Sequence, residues 1–597
     1  MDKNTVWAIF LSLLVLIGFM FWQTATMEVP EVAVVQETVA ETPVNSVVVS
    51  SPDVSSEVIE ADIEPEETVA EEEIIISTEF ADIRLTNRGG DIIGYELKNH
   101  RDGENGVEMA ENITETNRAL SISFGSAENP IINDLFSVEI IDDYTVGFSK
   151  QFTVDNSAGQ AETFILKKLY AFDPEEYLFR LTVGIEGRGN MRSLSFGNVA
   201  YTLRSSPQMG PYYDPSADRY ENRTFYFFDG KSQKKTLSAG NTDVYDKSFS
   251  WAGISGKYFA QQIVPIDASS VKDVVYSTKN EVDGFQDAQI MLERMPITQS
   301  SVQDTYYVYM GPKVDNTMVI YNNANDNNWG LHSLRIDEIL SSGWLSWLET
   351  ILKFLMEMFY KLIPNWGVSI ILMTVLLKLV LYPLTKKSSM ATLKMQELQP
   401  QIKELQEKYK DNKEKLNIEM AKFYKEAGYN PLSGCLPLLI QFPLIIAMYG
   451  LFSNYFEFRG AMFIEGWIPD LSVSDSVGVF PEGLWFVGGT TISLLPVIYV
   501  ASQLLFTKVT QSTAASPSNS SMKYMMYLMP LIFFVMFYRA PSGLLLYWTV
   551  SNLLQLVQQV IINKMMHRKR NEMGLNTQQN EKKVLPPTAK AKKRKKI

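Results

Sequence analysis

The chain has 597 residues, 46% of them apolar and 20% charged, with a net charge of −14. The acidity is local: Glu28 to Glu73 holds 14 acidic residues and no Lys or Arg, leaving 54 of the 68 acids against 54 bases. A single cysteine, Cys435, excludes an intramolecular disulfide framework. Three histidines argue against a multi-His metal site or His-based catalysis, and long apolar runs exclude a wholly soluble protein.

Val6 to Trp22 is nearly continuous apolar sequence, broken by Ser12. It is short for a span, and a cleaved signal peptide is the alternative. The bulky Phe21-Trp22-Gln23 flank favours an uncleaved anchor over residues 1–27. Residues 28–73 lack aromatics and repel one another electrostatically, which predicts a disordered acidic linker. Residues 74–325 are short β-forming segments punctuated by turns such as Asn87-Arg88-Gly89-Gly90-Asp91. Phe164–Phe172 and Tyr177–Ile185 flank Asp173-Pro174-Glu175-Glu176 as a hairpin. The pattern predicts one large all-β sandwich.

Residues 326–363 are a connector and a helix. Within it Ser346, Glu349, Lys353, Glu357 and Lys361 recur at helical spacing beside a broad apolar face, as in a helix lying in a bilayer interface. Residues 364–562 form a helical core with five expected spans: Trp366–Leu384, Leu432–Tyr455, Leu484–Phe506, Tyr524–Tyr538 and Gly543–Ile562. Loop 385–430 carries 10 Lys and Arg, loop 507–523 carries 2 and the tail 563–597 carries 12. The intervening loops 456–483 and 539–543 carry one each. The basic loops therefore face the cytoplasm, with both termini cytoplasmic and residues 28–343 outside.

Lys378 lies inside the first core span, roughly 9 Å from its cytoplasmic end at 1.5 Å per residue. A Lys near a bilayer centre costs about 2.5–3.5 kcal/mol, and snorkelling is its bland explanation. Thr374, Lys378 and Tyr382 share one helix face. Trp548, Asn552, Gln555 and Gln559 make a second stripe, flanked by Ser551 and Gln558. Gln441, Ser493 and Gln503 add polar groups from two other spans. Amides facing lipid would lack partners, so these faces should turn toward one another. They form either a wet, cytoplasm-facing pocket or interhelical glue. No Asp or Glu lies within the spans to pair with Lys378, which favours a pocket for an anionic or dipolar guest.

In loop 385–430, Ala391, Met395, Leu398, Ile402, Leu405 and Tyr409 repeat as 4-3-4-3-4, and Leu416, Met420, Phe423 and Ala427 as 4-3-4. This predicts an antiparallel helical hairpin turning at Asp411-Asn412, with Pro400 kinking the first helix or beginning its second part. Arg568-Lys569-Arg570 and Lys592-Lys593-Arg594-Lys595-Lys596 suit anionic lipid headgroups, with ribosomal RNA as the alternative. Gly230-Lys231-Ser232 lacks the first Gly of a phosphate-binding loop, since that position is Phe225. No cofactor, metal, DNA partner or chemical catalysis is expected.

Several motifs in order carry a family resemblance. Asn365-Trp366-Gly367, Tyr382-Pro383-Leu384-Thr385, Leu398-Gln399-Pro400, Asn430-Pro431-Leu432-Ser433-Gly434-Cys435-Leu436-Pro437, Leu439-Ile440-Gln441-Phe442-Pro443 and Pro541-Ser542-Gly543-Leu544 with Ser551-Asn552 resemble the YidC/Oxa/Alb insertases. The plan resembles the Gram-negative YidC type, whose periplasmic domain Trp251-Ala252-Gly253 and Lys257-Tyr258-Phe259 resemble. The resemblance implies a multidomain membrane protein with a transmembrane anchor, an all-β periplasmic super-sandwich like sugar mutarotases without their activity, and a core of five transmembrane helices with a cytoplasmic hairpin. It implies insertion of nascent membrane proteins, alone or with the Sec translocon, through a hydrophilic groove. The resemblance implies that Lys378, Gln503 and Trp548 lie in that groove, and the polar stripes add Thr374, Gln441, Asn552 and Gln555 as its expected lining. The central charge is usually Arg in that family; Lys keeps the charge but loses bidentate carboxylate recognition. The hairpin and basic tail are implied to meet substrate, the ribosome and anionic lipids. A small-solute transporter and a membrane-tethered periplasmic enzyme are the rival readings.

Overall fold

The computed structural model describes residues 69–583, apart from 103, 156–160, 189–193, 213–220, 280–287, 341–344, 411, 429–435, 480–491 and 513–519. The expected N-terminal anchor, most of the acidic linker, Cys435 and the tail from 584 lie outside the described residues. So do residues 432–435 and 484–491 of two expected spans. The chain divides into two compact units, a β unit ending at Leu340 and a helical unit from Ser341 onward.

Among the described residues, the β unit is built on a nine-stranded antiparallel sheet. Its order is Ser232–Lys235, Thr224–Phe228, Trp251–Ser255, Phe259–Pro265, Ser301–Pro312, Leu178–Arg188, Ala161–Phe172, Thr145–Asp155 and Ser137–Asp142. The expected hairpin is present, with Phe172 opposite Phe179 across the Asp173-Pro174 turn. Side chains alternate across a strand, so one face of this sheet must be covered. A five-stranded sheet and a four-stranded sheet, the latter spanning Glu73 to Glu108, supply the cover. Phe225 meets Tyr276 edge-on at 5.2 Å, Phe124 meets Phe164 at 5.6 Å, and Tyr95 stacks on Phe179 at 5.9 Å. These contacts define a sandwich. Gly230-Lys231-Ser232 falls at the turn between two strands, with Gly230 at φ +98°, and no helix follows it as phosphate binding would need.

A charged knot is buried in this unit. Lys168 is fully buried, and its ammonium donates to Asp91 Oδ1 at 2.5 Å, to the Leu120 carbonyl at 2.8 Å and to the Gly89 carbonyl at 3.2 Å. Arg118 Nε donates to the other oxygen, Asp91 Oδ2, at 2.9 Å. Burial pulls the Lys168 ammonium below the usual lysine range, and Asp91 opposes that pull. The knot ties the turn at residues 87–91 to the strand carrying Lys168.

The helical unit holds α1 (Ser346–Leu362), α2 (Trp366–Val380), α3 (Tyr382–Lys408), α4 (Lys413–Glu426), α5 (Leu436–Asn454), α6 (Leu495–Ser512), α7 (Ser520–Phe537) and α8 (Ser542–Lys583). On α1, Leu352 and Met356 are buried, whereas Trp347, Ile351, Phe354, Met358 and Leu362 form an exposed apolar stripe. The first core span differs from expectation. The helix breaks at Leu381, and α2 and the start of α3 are bent by 55°. Pro383 explains it, because a proline in the first turn of α3 cannot donate back to α2. In contrast, α3 runs unbroken through Pro400, so the expected division there is absent. Asn412 caps α4 through its side chain, which accepts from the Lys415 N–H at 2.9 Å.

Helix Ser542–Met565 is long and apolar enough to cross a membrane, and the bent pair Trp366–Val380 with Tyr382–Met390 passes as one further span. Pro443–Asn454, Leu495–Val509 and Tyr527–Phe537 are shorter apolar helices among the described residues. α8 continues past Ile562 to Lys583, so the first part of the basic tail is helical.

Two outcomes follow for the β unit. Lys168→Met strands part of the Asp91 charge and should cost about 3–5 kcal/mol in urea denaturation. Lys167→Met, on the opposite face in an exposed pair with Glu186, should cost under about 1 kcal/mol. The second concerns pH. Burial, with Glu108 and Asp102 nearby, pushes the Glu111 carboxyl from 4.5 up to about 7. The folded state then holds this proton more tightly than the unfolded state, so this contribution is full below about 4.5 and is lost as pH rises through about 7. Glu111→Gln should flatten the slope of stability against pH in that window.

Candidate functional site

α8 packs along both α2 and α6, and its polar stripe fills the two seams. The local sequence sets the faces. Asn365 caps α2 by accepting from the Val368 N–H at 3.0 Å, and the apolar run that follows keeps the helix regular as far as the Pro383 break.

In the α2 seam, Lys378 Nζ donates to Gln555 Oε1 at 3.3 Å. Gln558 Nε2 donates to the Lys378 main-chain carbonyl at 3.2 Å, near the end of α2 where carbonyls lose intrahelical partners. Thr374 is buried and donates to the Ile370 carbonyl at 2.6 Å. Thr374, Lys378, Gln441 and Gln555 line one cavity of about 40 Å³, with Tyr547 and Thr385 among the other walls. That volume holds roughly two or three waters. Among the described residues, no carboxylate pairs with Lys378. The arrangement is a cation and amides projecting into a small void whose remaining wall is largely leucine, Leu377, Leu381, Leu384 and Leu444, with Leu379 and Val380 each 65% exposed.

In the α6 seam, Asn552 Nδ2 donates to Ser502 Oγ at 3.4 Å. Trp548 packs edge-on against Phe537 at 4.8 Å and lies 5.9 Å from Tyr499. The structure therefore brings four of the seven sequence-derived positions together and places Trp548 and Asn552 in the neighbouring seam. Gln503 is half-buried on α6 but does not line the cavity among the described residues. It follows Ser502 by one residue, hence by about 100° around the helix.

Sequence reasoning missed Tyr547, Ser502, Thr385 and Ser389. Ser389 Oγ donates to Gln559 Oε1 at 3.3 Å, and Gln559 Nε2 to Asn563 Oδ1 at 2.9 Å. Thr374, Lys378, Thr385 and Ser389 keep helical spacing, so the stripe could have been followed past Leu384, the expected end of the span. The β unit holds a larger cavity of about 380 Å³ beside Arg294, Asp304 and Tyr306. There the Arg294 guanidinium and the Tyr201 hydroxyl, at 2.6 Å, already occupy the Asp304 carboxylate. Such a satisfied network holds strands and offers no free acid or base.

The 60Kd inner membrane protein family matches residues 358–570, and the YidC periplasmic domain matches residues 73–355. A membrane protein insertase YidC from Treponema denticola is 48% identical over 585 residues, covering 95% of this chain and 100% of the relative. The chain belongs to the YidC membrane protein insertase family. A YidC from Treponema pallidum is 41% identical over 538 residues, covering 84% of this chain and 86% of the relative. The solved structure of an active YidC insertase matches at 19% identity and a TM-score of 0.32, over 83% of this chain and 92% of that one. Membership of the YidC family places the chain among inner-membrane proteins with a periplasmic β-rich domain and a helical C-terminal core. These relatives are named insertases and not enzymes.

Proposed function

We propose that this chain inserts nascent integral membrane proteins into the inner membrane, alone or with the Sec translocon, and makes or breaks no bond in doing so. The observation that supports this reading is the Lys378–Gln555 contact, a cation and an amide at a small cavity between largely apolar helices. A short hydrophilic segment of the client, often acidic, enters the groove formed by Thr374, Lys378, Gln441, Gln503, Trp548, Asn552 and Gln555. The groove replaces hydration that lipid would strip away, which lowers the barrier to crossing. The adjoining apolar segment passes into lipid, and that burial drives the process at about 25 cal/mol per Å². An outside-positive potential helps each acidic charge by about 2.3 kcal/mol per 100 mV.

The other parts fit the same reading. Five core spans and an N-terminal anchor put both termini in the cytoplasm, where the hairpin 385–430 and the basic tail meet the ribosome and anionic lipid. The exposed stripe Trp347, Ile351, Phe354, Met358 and Leu362 lays α1 in the bilayer interface. Each such side chain moved fully from water to acyl chains gains about 1.5–3 kcal/mol.

Lys378→Ala should lower insertion of an acidic-tailed client about tenfold, the scale of one charge-assisted contact. Lys378→Arg should retain insertion. Equal insertion by the wild type and both variants, scored by protease protection of the client tail, would remove Lys378 from the mechanism.

A further inference from the structure

Helix starts carry N–H groups without intrahelical partners and the positive ends of helix dipoles. Three such starts, those of α2, α6 and α8, belong to the helices that carry the polar seams. One segment, 461–478, touches all three. Phe463 lies on Gly367 in the first turn of α2, where a Cβ would come within 2.1 Å of its ring. The Ser542 N–H donates to the Val473 carbonyl at 2.7 Å, and the Gly543 N–H to the Leu471 carbonyl at 3.0 Å, at the start of α8. At the start of α6 the acceptor is a charge. Asp475 is fully buried, and its Oδ2 accepts from the N–H groups of Leu494 at 2.7 Å and Leu495 at 2.9 Å. The same oxygen accepts from the Trp467 indole at 2.8 Å, which fixes the segment to its own carboxylate. The Asp475 main-chain carbonyl accepts from Ser493 Oγ at 2.9 Å. Protein acceptors thus stand where converging helix starts would otherwise draw water.

We propose that Asp475 is a positioning residue that keeps this end of the bundle shut, so that the void at Lys378 opens toward the opposite side alone. The inference rests on the insertase reading for its use: a client segment drawn into the groove must not find a continuous water path, or the membrane would leak ions. Three donors converge on one oxygen, and a carboxylate answers them with a full charge beside a helix dipole. Asparagine at this position would keep the shape and one accepting oxygen. It would also bury an NH2 where Oδ1 has no partner among the described residues.

The test uses the full-length chain in oriented membrane vesicles, with Leu444→Cys at the cavity wall in a Cys435→Ser background. A membrane-impermeant maleimide is added from the far side or the cytoplasmic side. Asp475→Asn should raise far-side labelling several-fold and Asp475→Ala about tenfold, the effect of losing one buried cap. Cytoplasmic-side labelling should stay unchanged. Phe463→Ala, which uncovers Gly367 without touching the charge, should also raise far-side labelling. Unchanged far-side labelling in Asp475→Asn, or an equal rise from both sides, overturns the proposal. Lys378→Ala carried in parallel separates the two ideas: if it inserts clients normally the groove reading fails, while the labelling result on Asp475 still stands.

Discussion

A hydrogen-bonding group inside hydrocarbon must find its partner within the protein, and that constraint organises the helical unit. Lys378, Gln555, Gln558 and Asn552 belong to apolar helices whose outer faces suit lipid. Lys378 Nζ reaches Gln555 Oε1, Gln558 reaches back to the Lys378 carbonyl, and Asn552 reaches Ser502. These contacts fix α8 between α2 and α6. The polar groups specify the packing and leave a small cavity beside Lys378. The break at Pro383 extends the arrangement. It turns α3 by 55° and lets Ser389 join the stripe on α8 through Gln559.

Much of this was legible in the sequence because it is periodic. Thr374 and Lys378 are four residues apart and share one face, whereas Trp548, Asn552 and Gln555, which follow at 4 and 3, are divided by the structure between the α6 seam and the α2 seam. The hairpin between Phe172 and Phe179 was equally readable from its turn residues. What the sequence did not disclose depends on rotation and on distance along the chain. Gln503 and Ser502 are adjacent in sequence and about 100° apart on the helix, and composition alone cannot say which of them meets Asn552. The role of Asp475 is invisible to any periodicity. It is an acid in a polar loop, and its N–H partners lie 19 and 20 residues further on. Pro383 was visible as a proline, but whether it bends a span or begins a new helix depends on what α3 packs against.

The two units treat a buried lysine in opposite ways. In the β unit, Lys168 has a carboxylate and two carbonyls around its ammonium, and Arg118 holds the other side of Asp91. All three N–H donors are used, so the charge is a fixture of the fold and has nothing left to give a ligand. In the helical unit, Lys378 meets one amide oxygen at 3.3 Å, beside a small cavity. An ammonium with spare donors and no paired carboxylate among the described residues keeps its attraction for an incoming anion. A paired carboxylate at this site would neutralise the charge that the proposed function uses. The same chain supplies Asp475 as a buried carboxylate, yet directs it at the N–H groups of α6 and at Trp467. The acid and the base lie in one helical unit, each with its own partners, so Asp475 is spent on the start of α6 and does not neutralise Lys378.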